Sequence, residues 1–228
     1  MRHAASPRLA SVFVTPDQVP PVGGPVRLLP ISGGPEQRGT LSDWSTSPAG
    51  LVATAVVTLD DDAAATLADQ PVWAHLQGAG GAAVVLEALA EGTAVDGELL
   101  LTGVLALATE QQRAEPRADI ARRAQLRGRV AAAARTIDLS RTGARVVLAT
   151  DAALANLGAA ADDQVELVVE VDAHETVTAA ARVVRVDAER SEVALSFIDL
   201  SEADATRIER AVLGQISSDR EQAGATSA

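Results

Sequence analysis

Cysteine is absent from the sequence, so disulfides, thiolate metal sites and a cysteine nucleophile are excluded together. Lysine is absent too, which rules out a phosphate-binding loop of the Gly-Lys-Thr kind. Aromatics are scarce, with two Trp, two Phe and no Tyr, so a core must be built from Val, Leu, Ile and Ala. No stretch approaches the roughly 20 apolar residues that a membrane helix needs. Near the N-terminus the apolar run from Leu9 to Val14 is broken by Ser11 and is too short for a signal-peptide core. A soluble, cytoplasmic protein is expected. With 228 residues, 47% of them hydrophobic, the chain has room for one large domain or two ordinary ones.

The formal charge is −12, unevenly distributed. All 19 basic residues are Arg, and nine of them (Arg113, Arg117, Arg122, Arg123, Arg127, Arg129, Arg135, Arg141 and Arg145) lie between positions 113 and 145. Only Glu115, Asp119 and Asp138 oppose them, so that window nets +6 and the rest of the chain −18. Guanidinium groups bind phosphate in forked pairs and stack on flat rings, which makes the segment a candidate anion site. A solvated charged linker is the plainer alternative. Extended nucleic acid fits poorly, because the acidic remainder would repel a long phosphate backbone.

Residues 1–24 hold Pro7, Pro16, Pro20 and Pro21 with no sustained period and read as a loose lead-in. Strand-like runs follow at Val26 to Leu29, Leu51 to Leu59, Val72 to Gln77, Ala82 to Leu89 and Glu98 to Leu107, separated by turn residues. Asp96-Gly97 is the clearest hairpin turn among them. These runs predict a small antiparallel barrel over 25–109, followed by a polar linker over 110–127 that carries arginines. A second series, Val130 to Leu139, Ala144 to Leu148, Val165 to Val171, Val177 to Val186 and Val193 to Ile198, predicts another barrel over 128–216. Val165, Leu167, Val169 and Val171 alternate with Glu166, Glu170 and Asp172, Val168 being the one exception, and Val193, Leu195 and Phe197 alternate with Glu192, Ala194 and Ser196, the period of a strand with one buried face. Ser201-Glu-Ala-Asp204 has the form of a capping box, and Ile208, Val212, Leu213 and Ile216 form a helical stripe after it. Residues 217–228 read as a disordered tail. The expected fold class is mainly β: two small antiparallel barrels, the second with a C-terminal helix.

Within the basic segment, Arg122-Arg123-Ala-Gln-Leu-Arg127 precedes Asp138-Leu-Ser140-Arg-Thr-Gly143. Arg-x-x-x-Arg before Asp-x-Ser-x-x-Gly resembles the signature of PilZ domains, the cyclic di-GMP receptors of bacteria. The resemblance extends through Ala181-Arg-Val-Val-Arg-Val186 and Ala194-Leu-Ser-Phe-Ile-Asp-Leu-Ser201. It implies a ligand site made of Arg123, Arg127, Asp138, Ser140 and Gly143, with Arg122 as a substitute if the register shifts. It also implies that the arginine pair lies on a flexible segment before the barrel and wraps the ligand. The residue types suit this ligand. Arginine forks match phosphate or guanine O6 and N7, a carboxylate accepts from guanine N1–H and N2–H₂, and a serine hydroxyl donates or accepts beside it. Gly143 permits a positive φ or a bare backbone beside the ligand. Only ten residues separate Arg127 from Asp138, where the family usually places a strand, a turn and a second strand, so a hairpin's worth of sequence looks missing.

The N-terminal domain resembles the β-rich domain that precedes PilZ in flagellar-brake proteins. That likeness implies a messenger receptor that reorients two β domains and acts on motility or envelope machinery through a protein partner. A PilZ-fold adaptor that binds no nucleotide is the alternative. Gly78-Ala-Gly80-Gly-Ala-Ala83 has the Gly-x-Gly-x-x-Ala form of a dinucleotide fingerprint, but sheet-like sequence follows where a helix is needed. His3, His75 and His174 have no metal-ligand spacing, and Asp60-Asp61-Asp62 reads as a solvated turn. Neither an enzyme, nor a cofactor, nor a bound metal is expected.

Overall fold

The computed structural model describes residues 18–47, 52–108 and 115–226. It divides into two units, residues 1–114 with 216–228, and residues 115–215. Most of the predicted lead-in, the start of the strand at Leu51 and the 110–114 part of the linker lie outside the described residues.

The first unit contains β1 (Pro25–Pro30), β2 (Gln37–Thr46), β3 (Val52–Thr58), helix α1 (Asp61–Leu67), β4 (Gln70–Gln77), β5 (Ala83–Gly92) and β6 (Glu98–Ala108). The strands close into an antiparallel barrel in the order β1-β2-β3-β6-β5-β4. Leu28, Val57, Leu76, Leu86 and Leu101 fill its interior, in keeping with a core short of aromatics. Asp96-Gly97 turns the chain from β5 into β6, with Gly97 at φ +76°. Gly78 to Ala82 is the β4–β5 turn and leads into a strand, so the dinucleotide fingerprint has no helix to serve. Asp60 stands at the N-cap position of α1 without a side-chain cap bond, and Asp61 and Asp62 lie in its first turn, where carboxylates suit the helix N-terminus.

The second unit contains β7 (Arg117–Ala118), β8 (Arg123–Arg127), β9 (Ala131–Ser140), β10 (Gly143–Leu148), helix α2 (Asp151–Leu157), β11 (Gln164–Glu170), β12 (Thr176–Asp187), β13 (Glu192–Asp199) and the start of helix α3 (Glu202–Thr226). Pairing runs β10-β13-β12-β11-β8-β9, and a β9–β10 pairing closes the ring. The short β7 pairs with the end of β9. As the alternation predicts, Val165, Leu167, Val169, Val193 and Leu195 are buried. Thr150 caps α2 by accepting from Ala153 N at 3.0 Å, and Gly158 ends it in the left-handed region. Ser201 Oγ accepts from Asp204 N at 3.1 Å and donates to Asp204 Oδ2 at 2.7 Å, so Ser201 caps α3 from the predicted position.

Two expectations are corrected. The predicted linker, 110–127, is a linker at most in its first residues: from Arg117 onward it supplies β7 and β8, with β8 hydrogen-bonded to β9 on one side and β11 on the other. Leu126, fully buried, anchors it. The predicted disordered tail is helical through Thr226. Its polar residues find partners distant in sequence, for Ser217 Oγ donates to Glu87 Oε2 at 2.7 Å and Arg220 Nη2 lies 2.8 Å from the same oxygen. Among the described residues no helix is long and apolar enough to cross a membrane.

Candidate functional site on the outer wall of the second barrel

Strand β9 carries the Asp-x-Ser pair, and a β-bulge decides which way it faces. Val146 pairs with Thr136 and Arg145 with Asp138, which leaves Ile137 as an extra residue in β9. Before the bulge Ala132 and Thr136 point inward; after it Leu139 does, opposite the buried Ala144. Asp138 and Ser140 therefore face the outer wall, in register with Arg145 and Gly143. Bulges commonly re-aim side chains in this way beside functional sites.

Although they face outward, Asp138 and Ser140 are only 4% and 2% exposed. Asp138 Oδ2 accepts from Arg145 Nε at 2.9 Å. Its Oδ1 lies 3.2 Å from Arg117 Nη1, close enough for an ion pair, yet makes no hydrogen bond. Arg145 Nη1 also lies 3.6 Å from Glu192 Oε2. Ser140 Oγ donates to the Gly143 carbonyl at 3.2 Å, and β7 sets Arg117 opposite Ser140. Between the two halves of the motif, Arg141 reaches helix α3, 2.6 Å from both Glu202 and Glu209. Gly143 does not have the positive φ allowed for in the sequence. Its role is close approach, because a Cβ would stand 2.3 Å from the Leu195 carbonyl oxygen of β13.

The other predicted arginines lie elsewhere. Arg123 and Arg127 are built into β8 and not into a flexible segment, because the backbone there is paired on both edges. Arg123 stands opposite Arg135 on the outer wall, three residues of strand, or about 10 Å, from the level of Asp138. Arg127 stands opposite Ala131, seven residues or about 23 Å away, and pairs with Glu166 at 2.7 Å. The Arg122 backbone is tied to Thr136, its N–H donating to Thr136 Oγ1 and its carbonyl accepting from Thr136 N. The structure thus brings Asp138, Ser140 and Gly143 together with Arg117 and Arg145, and does not bring Arg122 or Arg127 to them.

This geometry also accounts for the hairpin that looked missing. Strand β8 and the turn after it are that hairpin, so the spacing is short only when counted from Arg127. A signal for Arg117 was present in the sequence: Arg113-Ala-Glu-Pro-Arg117 repeats the Arg-x-x-x-Arg form upstream of β8. Arg113 lies outside the described residues. For Arg145 the only signal was its polar place between Ala144 and Val146.

Fold and site define a β protein of two barrels, with arginines and a buried carboxylate clustered on the outer wall of the second. Residues 111–214 match the family model described as PilZ domain, and this part of the chain is a PilZ domain. Among curated proteins none matches the chain. Similar solved structures include the Bacillus subtilis inhibitor of motility MotI/DgrA, at 14% identity and TM-score 0.38, covering 89% of this chain and 98% of that one. Escherichia coli YcgR in complex with c-di-GMP aligns at 14% identity and TM-score 0.42, covering 90% and 88%. Apo MrkH of K. pneumonia aligns at 13% identity and TM-score 0.41, covering 88% of each chain.

Proposed function

We propose that the chain is a cyclic di-GMP receptor whose ligand lies on the outer wall of the PilZ barrel, against Asp138, Ser140 and Arg117. The observation that carries this reading is the Asp138 carboxylate, nearly fully buried, turned outward by a bulge, with one oxygen that makes no hydrogen bond. A buried acceptor without a hydrogen bond costs about 1–3 kcal/mol, so it favours a ligand that donates to it. Guanine offers that donor edge in N1–H and N2–H₂, and would take the place beside Oδ1 that Arg117 now covers. Released from Asp138, Arg117 is free to fork onto the ligand phosphate. Ser140 supplies the adjacent hydroxyl, and Gly143 lets β10 and β13 approach closely beside it. Arg123, on the same wall, is a second-line contact, while Arg122 and Arg127 have the least direct access.

The output belongs to the same proposal. Arg117 directly follows the chain that joins the two units, so a ligand that captures it reorients the two β domains and alters a contact with motility or envelope machinery. The competing adaptor reading is favoured by one observation: Asp138 already has two arginines beside it, as a purely structural carboxylate would.

Calorimetric titration with cyclic di-GMP separates these readings. Wild-type protein is expected to saturate. Asp138→Ala and Arg117→Ala are each expected to weaken binding by about five- to a hundredfold, the equivalent of about 1–3 kcal/mol for a forked contact. Arg123→Ala/Arg127→Ala tests the alternative arginine pair: a complete loss there, with Arg117→Ala unaffected, would move the cationic clamp to β8. A folded wild-type protein that takes up no ligand is the adaptor.

A further inference from the structure

Arg135 has no place in the motif, yet it stands on the same wall as Asp138. Its partner on β10 is Val147 and that of Asp138 is Arg145, so the bulge at Ile137 keeps both side chains outside the barrel. Three residues of β9, about 10 Å at most, separate them. The bulge shortens that run, because Val147 and Arg145 are only two residues apart. On the other flank of β9, Arg135 is paired with Arg123 of β8.

Like charges directly opposite each other on neighbouring strands are destabilising. Here the pairing is of the closer kind. Thr136 N donates to the Arg122 carbonyl at 2.9 Å, just outside the pair, so Arg123 and Arg135 exchange no backbone hydrogen bonds with each other. In such pairs the side chains approach more closely than in hydrogen-bonded ones. The surrounding strands do not offset the repulsion. Val147 lies on the β10 side, Ala133 is the next outward residue of β9, and the β8–β11 ladder ends at Ala124 and Val169, one residue short of Glu170. Both arginines are exposed, and among the described residues neither makes an ion pair or a side-chain hydrogen bond. Arg117, Arg127, Arg141 and Arg145 differ, since each lies within ion-pair distance of a carboxylate. In a chain with 31 acidic and 19 basic residues, two facing guanidinium groups left without an acid call for an anion from outside.

We propose that Arg123 and Arg135 form a phosphate clamp, which takes one phosphate of cyclic di-GMP while a guanine edge of the same ligand rests on Asp138. The inference rests on the proposed function, because the ligand is the same. It adds Arg135 as a binding residue and gives the two phosphates separate partners. One is Arg117, whose guanidinium already reaches Asp138, and the other is the β8–β9 pair farther along the same strand. A phosphate between two guanidinium groups on adjacent strands accepts forked bonds from both and removes the repulsion between them.

The test is calorimetric titration of the full chain with cyclic di-GMP at two salt concentrations, with a thermal melt of each protein in the absence of ligand. The variants are Asp138→Ala, Arg135→Ala, Arg135→Glu and a charge control, Arg182→Ala, whose arginine is exposed on β12, a strand bonded to neither β8 nor β9. Arg135→Ala is expected to bind roughly five- to fiftyfold more weakly, with a shallower dependence on salt. Arg135→Glu, which replaces the repulsion by a cross-strand ion pair with Arg123, is expected to melt above wild type and to bind more weakly than Arg135→Ala. The charge control is expected to titrate like wild type. If Arg135→Ala binds at wild-type strength while Asp138→Ala loses affinity, the clamp is refuted and the receptor reading stands. A loss in the charge control equal to that in Arg135→Ala also refutes the clamp, since net charge alone would then account for the effect. If the folded wild type takes up no cyclic di-GMP, the receptor reading fails and the clamp with it.

Discussion

Gly143 has no room for a side chain, and this is a matter of backbone packing more than of conformational freedom. An added Cβ would stand 2.3 Å from a main-chain oxygen of β13, which a flexible side chain could avoid but a paired strand cannot. Gly143→Ala is expected to lower stability by about 1–3 kcal/mol, as overpacking typically does, and a chemical-denaturation curve measures it directly. Arg141 offers a second test at this scale. It joins the motif turn to Glu202 and Glu209 of α3, Glu209 being almost wholly buried, and charged hydrogen bonds of this kind contribute about 1.5–3 kcal/mol. Arg141→Ala should be destabilised by that order in the same assay, whether or not ligand is present. At the β11–β12 turn, the Asp172 carboxyl is held below its ordinary range, chiefly by the His174 backbone N–H and further by that of Glu175. A carboxyl lowered on folding contributes stability above its unfolded pKa and loses it as pH falls through the folded value. An NMR titration of Asp172 should therefore show a midpoint below the ordinary aspartate value, and Asp172→Ala should remove the corresponding part of the acid sensitivity.

At the scale of elements, the bulge at Ile137 does more for the site than the identity of any one strand. Were Ile137 paired as a regular strand residue, Asp138 and Ser140 would fall on the inner face with Thr136, and an unpaired carboxylate there is not tolerated. Deleting Ile137 leaves Thr136 opposite Val146 and Asp138 opposite Arg145 in an unbroken ladder, so the deletion and Ile137→Ala are both expected to melt cooperatively, whereas inserting an alanine after Ile137, which shifts Asp138 by one residue, is expected to abolish cooperative melting of the second unit. The same logic shows where periodicity fails as a guide. Strand β2 has a single buried residue, Leu41, among polar neighbours, and its register shifts just after it, so no alternating pattern marks it. Strand β8 reads as a charged linker because Arg123, Gln125 and Arg127 all face outward, leaving Leu126 as its one deeply buried residue. By contrast β11 and β13 are legible because their inward residues, Val165, Leu167, Val169, Val193 and Leu195, are all apolar and buried, and the α3 cap is legible because Ser201 and Asp204 act locally.

For the molecule as a whole, the relevant quantity is a net charge of −12 with one basic segment embedded in it. That segment is folded into the second barrel: Arg117, Arg127, Arg141 and Arg145 each stand within ion-pair distance of a carboxylate. Long polyanions meet the acidic remainder, whereas a compact dianion needs only the wall of one barrel. Mobility-shift assays are accordingly expected to show no retention of duplex DNA at physiological salt, under conditions where cyclic di-GMP binds. Retention of DNA in preference to the dinucleotide would contradict the proposed function.

The sequence by itself determined the composition of the core, the two β units, the cap of the last helix and the positions of Asp138, Ser140 and Gly143, because each depends on residue type, local hydrogen bonding or short-range periodicity. Tertiary structure alone decided which arginines stand beside that carboxylate. Arg123 and Arg127 satisfy a spacing rule, yet cross-strand pairing carries Arg127 to the far end of β8, while β7 sets Arg117 opposite Ser140. It alone decided, too, that Asp138 and Ser140 face the outer wall. A bulge adds one residue to one strand only, and that offset exists only once the partner strand is in place.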